Sequence, residues 1–317
     1  MDGTTNFSGI GGNLAVAVSL AAAKTAAITA GKPLYSYLGG PAGMPRPQGN
    51  MIGGGRHAIG GTDIQEFMST AIADRVTPAV FANARVHRRV QEILKGTLPG
   101  EPLGKGDESA WVAPITNVRA LEIVGAACSD VSRETGVECR VALDVAASEL
   151  YREGKYVYRE RELSPADQVD FMAELAEDHN LVSLEDPLHE DDFAGFAELT
   201  ARVGKKCLIV GDDLFVTSVQ RLQRGIDEGA ANAILVKPNQ CGTLTDTRAT
   251  VDLAHRRGYR TVMSHRSGET TDDTIAHLAV AFGCWGLKIG AVGGERTAKL
   301  NELIRIEEQI RGTTHGE

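Results

Sequence analysis

Six apolar segments rich in Val, Ile and Leu each run out onto a polar, reactive side chain, and no other feature restricts the fold of this chain as strongly. VALD closes at Asp144, SLED holds Glu185, LIVGDD reaches Asp212, ILVK ends at Lys237, TVMSH at His265 and GLK at Lys288. Strands are expected over Val141–Ala147, Leu181–Pro187, Cys207–Asp213, Ala233–Pro238, Arg260–His265 and Gly286–Ile289, with helical patterns such as Pro165–Asp178 and Thr217–Glu228 between them. From Asp212 onward the strand-end residues are separated by 25, 28 and 23 positions, room for strand, helix and return. A parallel sheet delivers such residues to one edge, and a closed (β/α) barrel gathers them from many strands at its mouth. An open doubly wound sheet would instead concentrate them at one crevice. The expectation is an α/β chain forming a barrel of the TIM type.

The 317 residues suffice for one large barrel or two ordinary domains. Apolar content of 42% with 24% charged residues suits a soluble globular protein with a sizeable core. A net charge of −9 and the lack of any basic run exclude a nucleic-acid surface, although metal ions would let an acidic protein bind an acidic substrate. Cys128, Cys139, Cys207, Cys241 and Cys284 show no CxxC spacing and read as buried free thiols of a reducing, cytoplasmic protein. The stretch Asn13–Ala30 carries Lys24 and lacks a basic leader, so a buried Ala-rich helix is expected rather than a signal peptide or membrane span. GGGRHAIGG, over 53–61, lacks the P-loop lysine and suits a tight loop folded over a small ligand.

Asp144, Glu185 and Asp212 offer hard oxygen ligands from separate strand tips, a set suited to Mg²⁺. Any one alone would read as a helix cap or an ion-pair partner; three at successive tips followed by a lysine favour the metal. Lys237 ends an apolar run, where a nearby divalent cation and Lys288 would depress its pKa and make it a general base. His265, Arg266, Ser267 and Lys288 are donors suited to phosphate or carboxylate. Upstream, His57 and Glu66 occupy GGGRHAIGGTDIQEF, and Glu108 in GKGDESAW is a candidate general acid if it keeps its proton near neutral pH. The residues by themselves point to a metal-dependent lyase or isomerase that abstracts a proton next to a carboxylate.

The runs ILVKPNQCGTLTDT and MSHRSGETTDDT, with SLEDPLHEDDF, GDDLFVT and KLNELIRIEE, resemble the enolase family. The KPNQ, GDESAW and VGGERTAKLNELIRIEE variants resemble its archaeal-type branch, and the similarity runs from Met1 to about Glu308. The resemblance implies an enolase-like barrel over 46–317 and, over 1–45, the helical remnant of an N-terminal α+β cap. It implies that Lys237 takes the C2 proton of 2-phosphoglycerate and Glu108 assists loss of the C3 hydroxyl, giving phosphoenolpyruvate. It assigns Asp144, Glu185 and Asp212 to Mg²⁺, with a second, substrate-bridged Mg²⁺. His57, Gln65, Glu66, His265, Arg266, Ser267 and Lys288 fall to substrate binding. A homo-oligomer without membrane or nucleic-acid partners is also implied, Arg305 matching an interface arginine.

The chain departs from the family pattern in four places. The family usually begins with a further segment of roughly a hundred residues that supplies a mobile, serine-bearing loop. Ser109 stands where glycine is usual, Cys241 follows KPNQ in place of a small aliphatic residue, and Gly293–Arg296 replaces an RSER-like segment. Ser109 and Cys241 keep open a paralogue acting on a phosphonate analogue, as in carboxyphosphonoenolpyruvate synthases. The first departure keeps open a non-catalytic, enolase-derived binding protein.

Overall fold

The computed structural model describes residues 2–4 and 6–314. Among them, eight strands close into a barrel: β1 (Arg46–Gly53), β2 (Glu66–Ile72), β3 (Glu138–Asp144), β4 (Ser183–Glu185), β5 (Leu208–Gly211), β6 (Ala233–Val236), β7 (Arg260–Ser264) and β8 (Gly286–Lys288). They pair in chain order, and β8 returns to β1 through Arg46–Gly286 and Gln48–Lys288. Closure leaves the barrel itself without an edge.

The expected strands and helices are present, with one difference in direction. β2 runs antiparallel to both β1 and β3, and all other barrel pairings are parallel. The cause lies in the connection. Between β1 and β2 there is only the loop 54–65, with a single 3₁₀ turn at Gly55–His57, whereas a parallel return needs a crossover helix. The reversal is undone after β2 by two consecutive helices, α3 (Val76–Thr97) and α4 (Asn117–Thr135). Their connection, 98–116, therefore rises at the end of the barrel where β1 finishes and β2 begins.

Strand period decides what faces the lumen. Leu208 and Val210, then Ala233 and Leu235, then Val262 pack together inside, with Trp285 among the residues against them. Gln48, Thr70 and Ser183 form a polar bridge within the lumen. Ile209, Ile234, Val236, Met263 and Leu287 point the other way, into the apolar layer beneath the helices. Continuing the inward parity brings Asp212 after Val210 and Lys237 after Leu235, so the alternation itself aims these side chains at the axis.

The helices outside the barrel are α5 (Pro165–Asp178), opened by a Ser164–Asp167 capping box, α6 (Phe193–Val203), α7 (Val219–Glu228), α8 (Leu244–Arg256), α9 (Thr274–Ala281) and α10 (Gly294–Thr314). Ahead of the barrel lie α1 (Gly12–Thr29) and the short α2 (Leu34–Tyr37). The expectation of a buried α1 is corrected. Only Ala15 and Ala27 are buried; one face docks through Ser19, whose hydroxyl accepts from Leu244 N, and through Lys24, 2.7 Å from Asp272. Leu14, Val18 and Ile28 are exposed on the other face. Helix α1 is also long and apolar enough to cross a membrane, with a mean hydropathy of 1.3, a property of its alanine-rich composition that its docked face does not require.

Candidate active site

A small cavity of about 90 Å³ at the barrel mouth collects nearly every residue singled out above. His57, Gln65, Glu66, Glu108, Asp144, Asp212, Lys237, His265, Arg266, Ser267 and Lys288 line it. Glu185 joins through Lys288 rather than by lining the cavity. A larger hollow of about 490 Å³ lies at the surface near the start of α4, lined by residues such as Tyr158, Arg161 and Phe171. Convergent acids, bases and cations, not volume, identify the reactive centre.

Lys288, at the tip of β8, is the hub. Its Nζ lies 2.8 Å from Asp144, 2.9 Å from both Glu185 oxygens and 3.2 Å from Glu66, and its side chain is buried. These three carboxylates keep its pKa well above the ordinary lysine value even though burial acts to lower it. Glu66 and Glu185 are pushed well above the ordinary carboxylate value, first by burial and then by neighbouring acids.

Lys237 forms a short ion pair with Asp212. Gln240 Nε2 holds the other Asp212 oxygen at 3.2 Å. The depression of Lys237 expected beside a divalent cation is not what its protein neighbours alone produce. Burial is the largest single influence and acts to lower the pKa, but the charge and hydrogen bond of Asp212 together with Glu185 outweigh burial, and the amine is raised. Asp186 reinforces this corner; its two oxygens accept from the backbone N–H groups of Asp212 and Asp213 at 2.9 and 2.8 Å. Burial together with the two neighbouring acids raises Asp186 well above the usual range and Asp213 to about 6.

The loop 98–116 delivers Glu108. Both Glu108 and Ser109 adopt left-handed backbone, φ 61° and 60°. That turn is held from below by His87 of α3, whose Nε2 lies 2.8 Å from Ser109 O. Glu108 is buried; Asn50 Nδ2 donates to Oε2 at 3.3 Å, and His265 Nε2 lies 3.1 Å from Oε1. His57 Nδ1 sits 3.5 Å from Glu66 and 4.0 Å from Glu108, tying the glycine-rich loop to both acids. Burial acts to raise Glu108, but His265, Lys288 and His57 outweigh it and hold the carboxyl well below its usual value. In this arrangement the surrounding groups favour the Glu108 carboxylate.

Two neighbours suggested by sequence adjacency lie outside the chemistry. Cys241 Sγ turns to Thr247 Oγ1, 3.1 Å away, and to the Pro238 and Thr243 carbonyls, away from Lys237. Ser109 directs its hydroxyl at Gly293, where a Cβ would come within 2.4 Å of it. Asn50, Asp186, Gln240, His87 and Arg296 escaped the sequence reading, because each acts through a partner distant in the chain. Only the acid–proline step at Asp186–Pro187 carried a local signal.

The donor set suits a hard divalent cation. Glu66, Asp144, Glu185, Asp186, Asp212 and Asp213 gather near two lysines, and burial, followed by the repulsion among the acids, drives several pKa values upward. The oxygens of Asp186, Asp212 and Asp213 approach closely enough to share one ion, as do groups of His57, Glu66 and Glu108. Carboxylate oxygens without thiolates favour Mg²⁺ over softer metals.

Residues 41–316 match the family described as Enolase, C-terminal TIM barrel domain. The chain is similar to the enolase of Natronomonas pharaonis, 58% identical over 310 residues that cover 96% of this chain and 77% of that protein. It is 55% identical over 316 residues to the enolase of Methanocorpusculum labreanum, covering 98% of this chain and 79% of the relative. The enolase of Methanothermobacter thermautotrophicus is 54% identical over 318 residues, 98% of this chain and 76% of its own length.

Proposed function

The chain belongs to the enolase family, and from that premise we propose that its barrel mouth dehydrates 2-phosphoglycerate to phosphoenolpyruvate with Lys237 as base and Glu108 as the group that assists the leaving hydroxyl. The observation that supports the assignment is that Lys237, Glu108 and Lys288 line one cavity together with Glu66, Asp144 and Asp212. Lys237 must both release Asp212 and lose one ammonium proton before its neutral amine takes the C2 proton, which then leaves the substrate as the third proton of the restored ammonium. His265 Nε2 lies 3.1 Å from Glu108 Oε1, and Glu108 must carry a proton when it gives it to the departing C3 hydroxyl, which leaves as water. Arg266 and Ser267 are suited to the phosphate, with Arg266 exposed at the rim as a ready fork. Lys288, His57, Gln65 and Glu66 line the floor against the carboxylate end.

Asp144, Glu185 and Asp212 are the residues proposed to hold Mg²⁺, which when bound neutralises the charge that grows on the substrate carboxylate as its neighbouring carbon loses a proton. The residues 46–317 constitute the catalytic barrel in this reading, with 1–45 as a helical N-terminal part. A cytoplasmic homo-oligomer is part of the same proposal.

The test is phosphoenolpyruvate formation from 2-phosphoglycerate, followed by ultraviolet absorbance as Mg²⁺ is titrated from zero. Magnesium-dependent turnover that disappears in Lys237→Ala is expected. Turnover that persists in that variant would remove Lys237 as the base, and turnover of a phosphonate analogue alone would replace the substrate.

A further inference from the structure

Among the described residues Arg296 of α10 is the largest fully buried side chain, and its hydrogen bonds go to neutral acceptors. Nη1 meets His265 Nδ1 at 3.0 Å and Arg266 O at 2.8 Å, and Nη2 meets Ser267 O at 2.7 Å. A buried guanidinium is costly, and an ion pair is the usual compensation. Here the charge is aimed at an imidazole instead.

We propose that Arg296 is a positioning residue that locks His265 as its neutral Nε2–H tautomer, with Nε2 on the side of Glu108. The reasoning rests on donor and acceptor inventory. A guanidinium has five N–H donors, no acceptor, and does not deprotonate in proteins. A hydrogen bond between it and His265 Nδ1 therefore requires a lone pair on Nδ1. The imidazole proton must then sit on Nε2, which is 3.1 Å from Glu108 Oε1. Protonating Nδ1 as well would set N–H against N–H, so the imidazolium is excluded while Arg296 remains in place.

The charged groups facing His265 are Glu108 from the loop 98–116, Arg296 from α10 and Lys288 from β8. Burial, Arg296 and Lys288 oppose a second proton, and Glu108 alone favours one; the balance depresses the imidazole. The backbone makes room for this device. Gly290, at φ +78°, lies where a Cβ would come within 3.1 Å of Arg296 Cγ and 3.4 Å of Glu108 O. The same arginine grips the carbonyls of Arg266 and Ser267, so tautomer and loop position are set together.

This inference rests on the roles proposed for Glu108 and His265, and two substitutions separate tautomer control from scaffolding. Arg296→Lys keeps a donor-only cation beside Nδ1, whereas Arg296→Gln supplies an amide oxygen that can accept from a protonated Nδ1. Nitrogen-15 NMR of imidazole-labelled protein, with His265 assigned through His265→Gln, reads the tautomer directly and needs no turnover. The parent and Arg296→Lys are expected to carry the proton on Nε2 without titrating between about pH 5.5 and 8. Arg296→Gln is expected to titrate, and its kcat/KM to gain an acid limb near the ordinary histidine pKa of about 6.5, falling about tenfold per pH unit below it.

A parent proton found on Nδ1, or identical pH profiles for the lysine and glutamine variants, would overturn the inference. Should Arg296→Gln not fold, the parent spectrum and Arg296→Lys still decide it. A parent with the expected tautomer but no 2-phosphoglycerate turnover would defeat the proposed function and leave the tautomer lock standing.

Discussion

Removing the Lys288 ammonium probes the proposal that the barrel mouth is built for a divalent cation. In Lys288→Met the side chain keeps its bulk, but four contacts of 2.8–3.2 Å to Asp144, Glu185 and Glu66 disappear. Deleting one partner of a buried ion pair typically costs about 3–5 kcal/mol, since the remaining charge has neither water nor counter-ion. Here three carboxylates are left, so the upper part of that range is expected in buffer with chelator. Magnesium should then recover more stability in the variant than in the parent. The carboxylates no longer share their charge with an ammonium, and a ligand at a hundred times its Kd contributes about 2.7 kcal/mol by mass action. Urea unfolding midpoints of both proteins, with EDTA and with Mg²⁺, supply the four numbers required. A loss below about 1 kcal/mol in EDTA would refute the reasoning about buried charge. Equal magnesium shifts in the two proteins would refute the placement of the cation among these acids.

Three further outcomes are expected. His87 is lowered from 6.5 to about 4 by burial. The unfolded chain therefore binds its proton first as pH falls, and stability present above pH 6.5 is lost towards pH 4, by about 3 kcal/mol in all; His87→Gln should flatten that slope in pH-dependent urea unfolding, and an unchanged slope would clear His87. Gly293→Ala places a Cβ 2.4 Å from Ser109 Oγ at φ +102°, so the Ser109 hydroxyl must rotate or the Glu108 turn must shift, and the kinetics distinguish the two. A fall in kcat on the order of a hundredfold is expected, with about 1–2 kcal/mol of lost stability, and a variant with parental kcat would show that the hydroxyl rotates instead. Glu307 of α10 accepts from Val76 N at 2.8 Å and Thr77 N at 3.3 Å at the start of α3. Glu307→Ala leaves those N–H groups unpaired and is expected to cost about 1–3 kcal/mol in thermal or urea unfolding without changing KM; a neutral effect would mean water replaces the carboxylate.

The strand tips were readable because strand chemistry is local. An apolar run with period two that closes on Asp144, Asp212, Lys237 or Lys288 states both that a strand is present and which way its last side chain faces. Helices such as α5 announced themselves through the Ser164–Pro165–Asp167 start, and the motifs around KPNQ and SHRSGET pointed to the family. Helix α1 misled because alanine-rich composition marks helix propensity, not burial; which face is covered depends on what packs against it.

Direction and partnership belonged to the tertiary structure alone. Glu66 begins a strand rather than ending one, and Glu108 lies between two helices, so neither fits a rule about strand ends. Both reach the mouth because β2 runs backward and α3–α4 restore the direction, which follows from a connection too short for a crossover. The protonation states were equally beyond reach of the sequence. Lys237 is held up by Asp212, Glu108 is held down by His265 and the cations, and Arg296 meets His265 from 31 residues away. Spacing along the chain supplies the reactive groups, but a pKa depends on distance, burial and neighbouring charge, and those exist only once the barrel has closed.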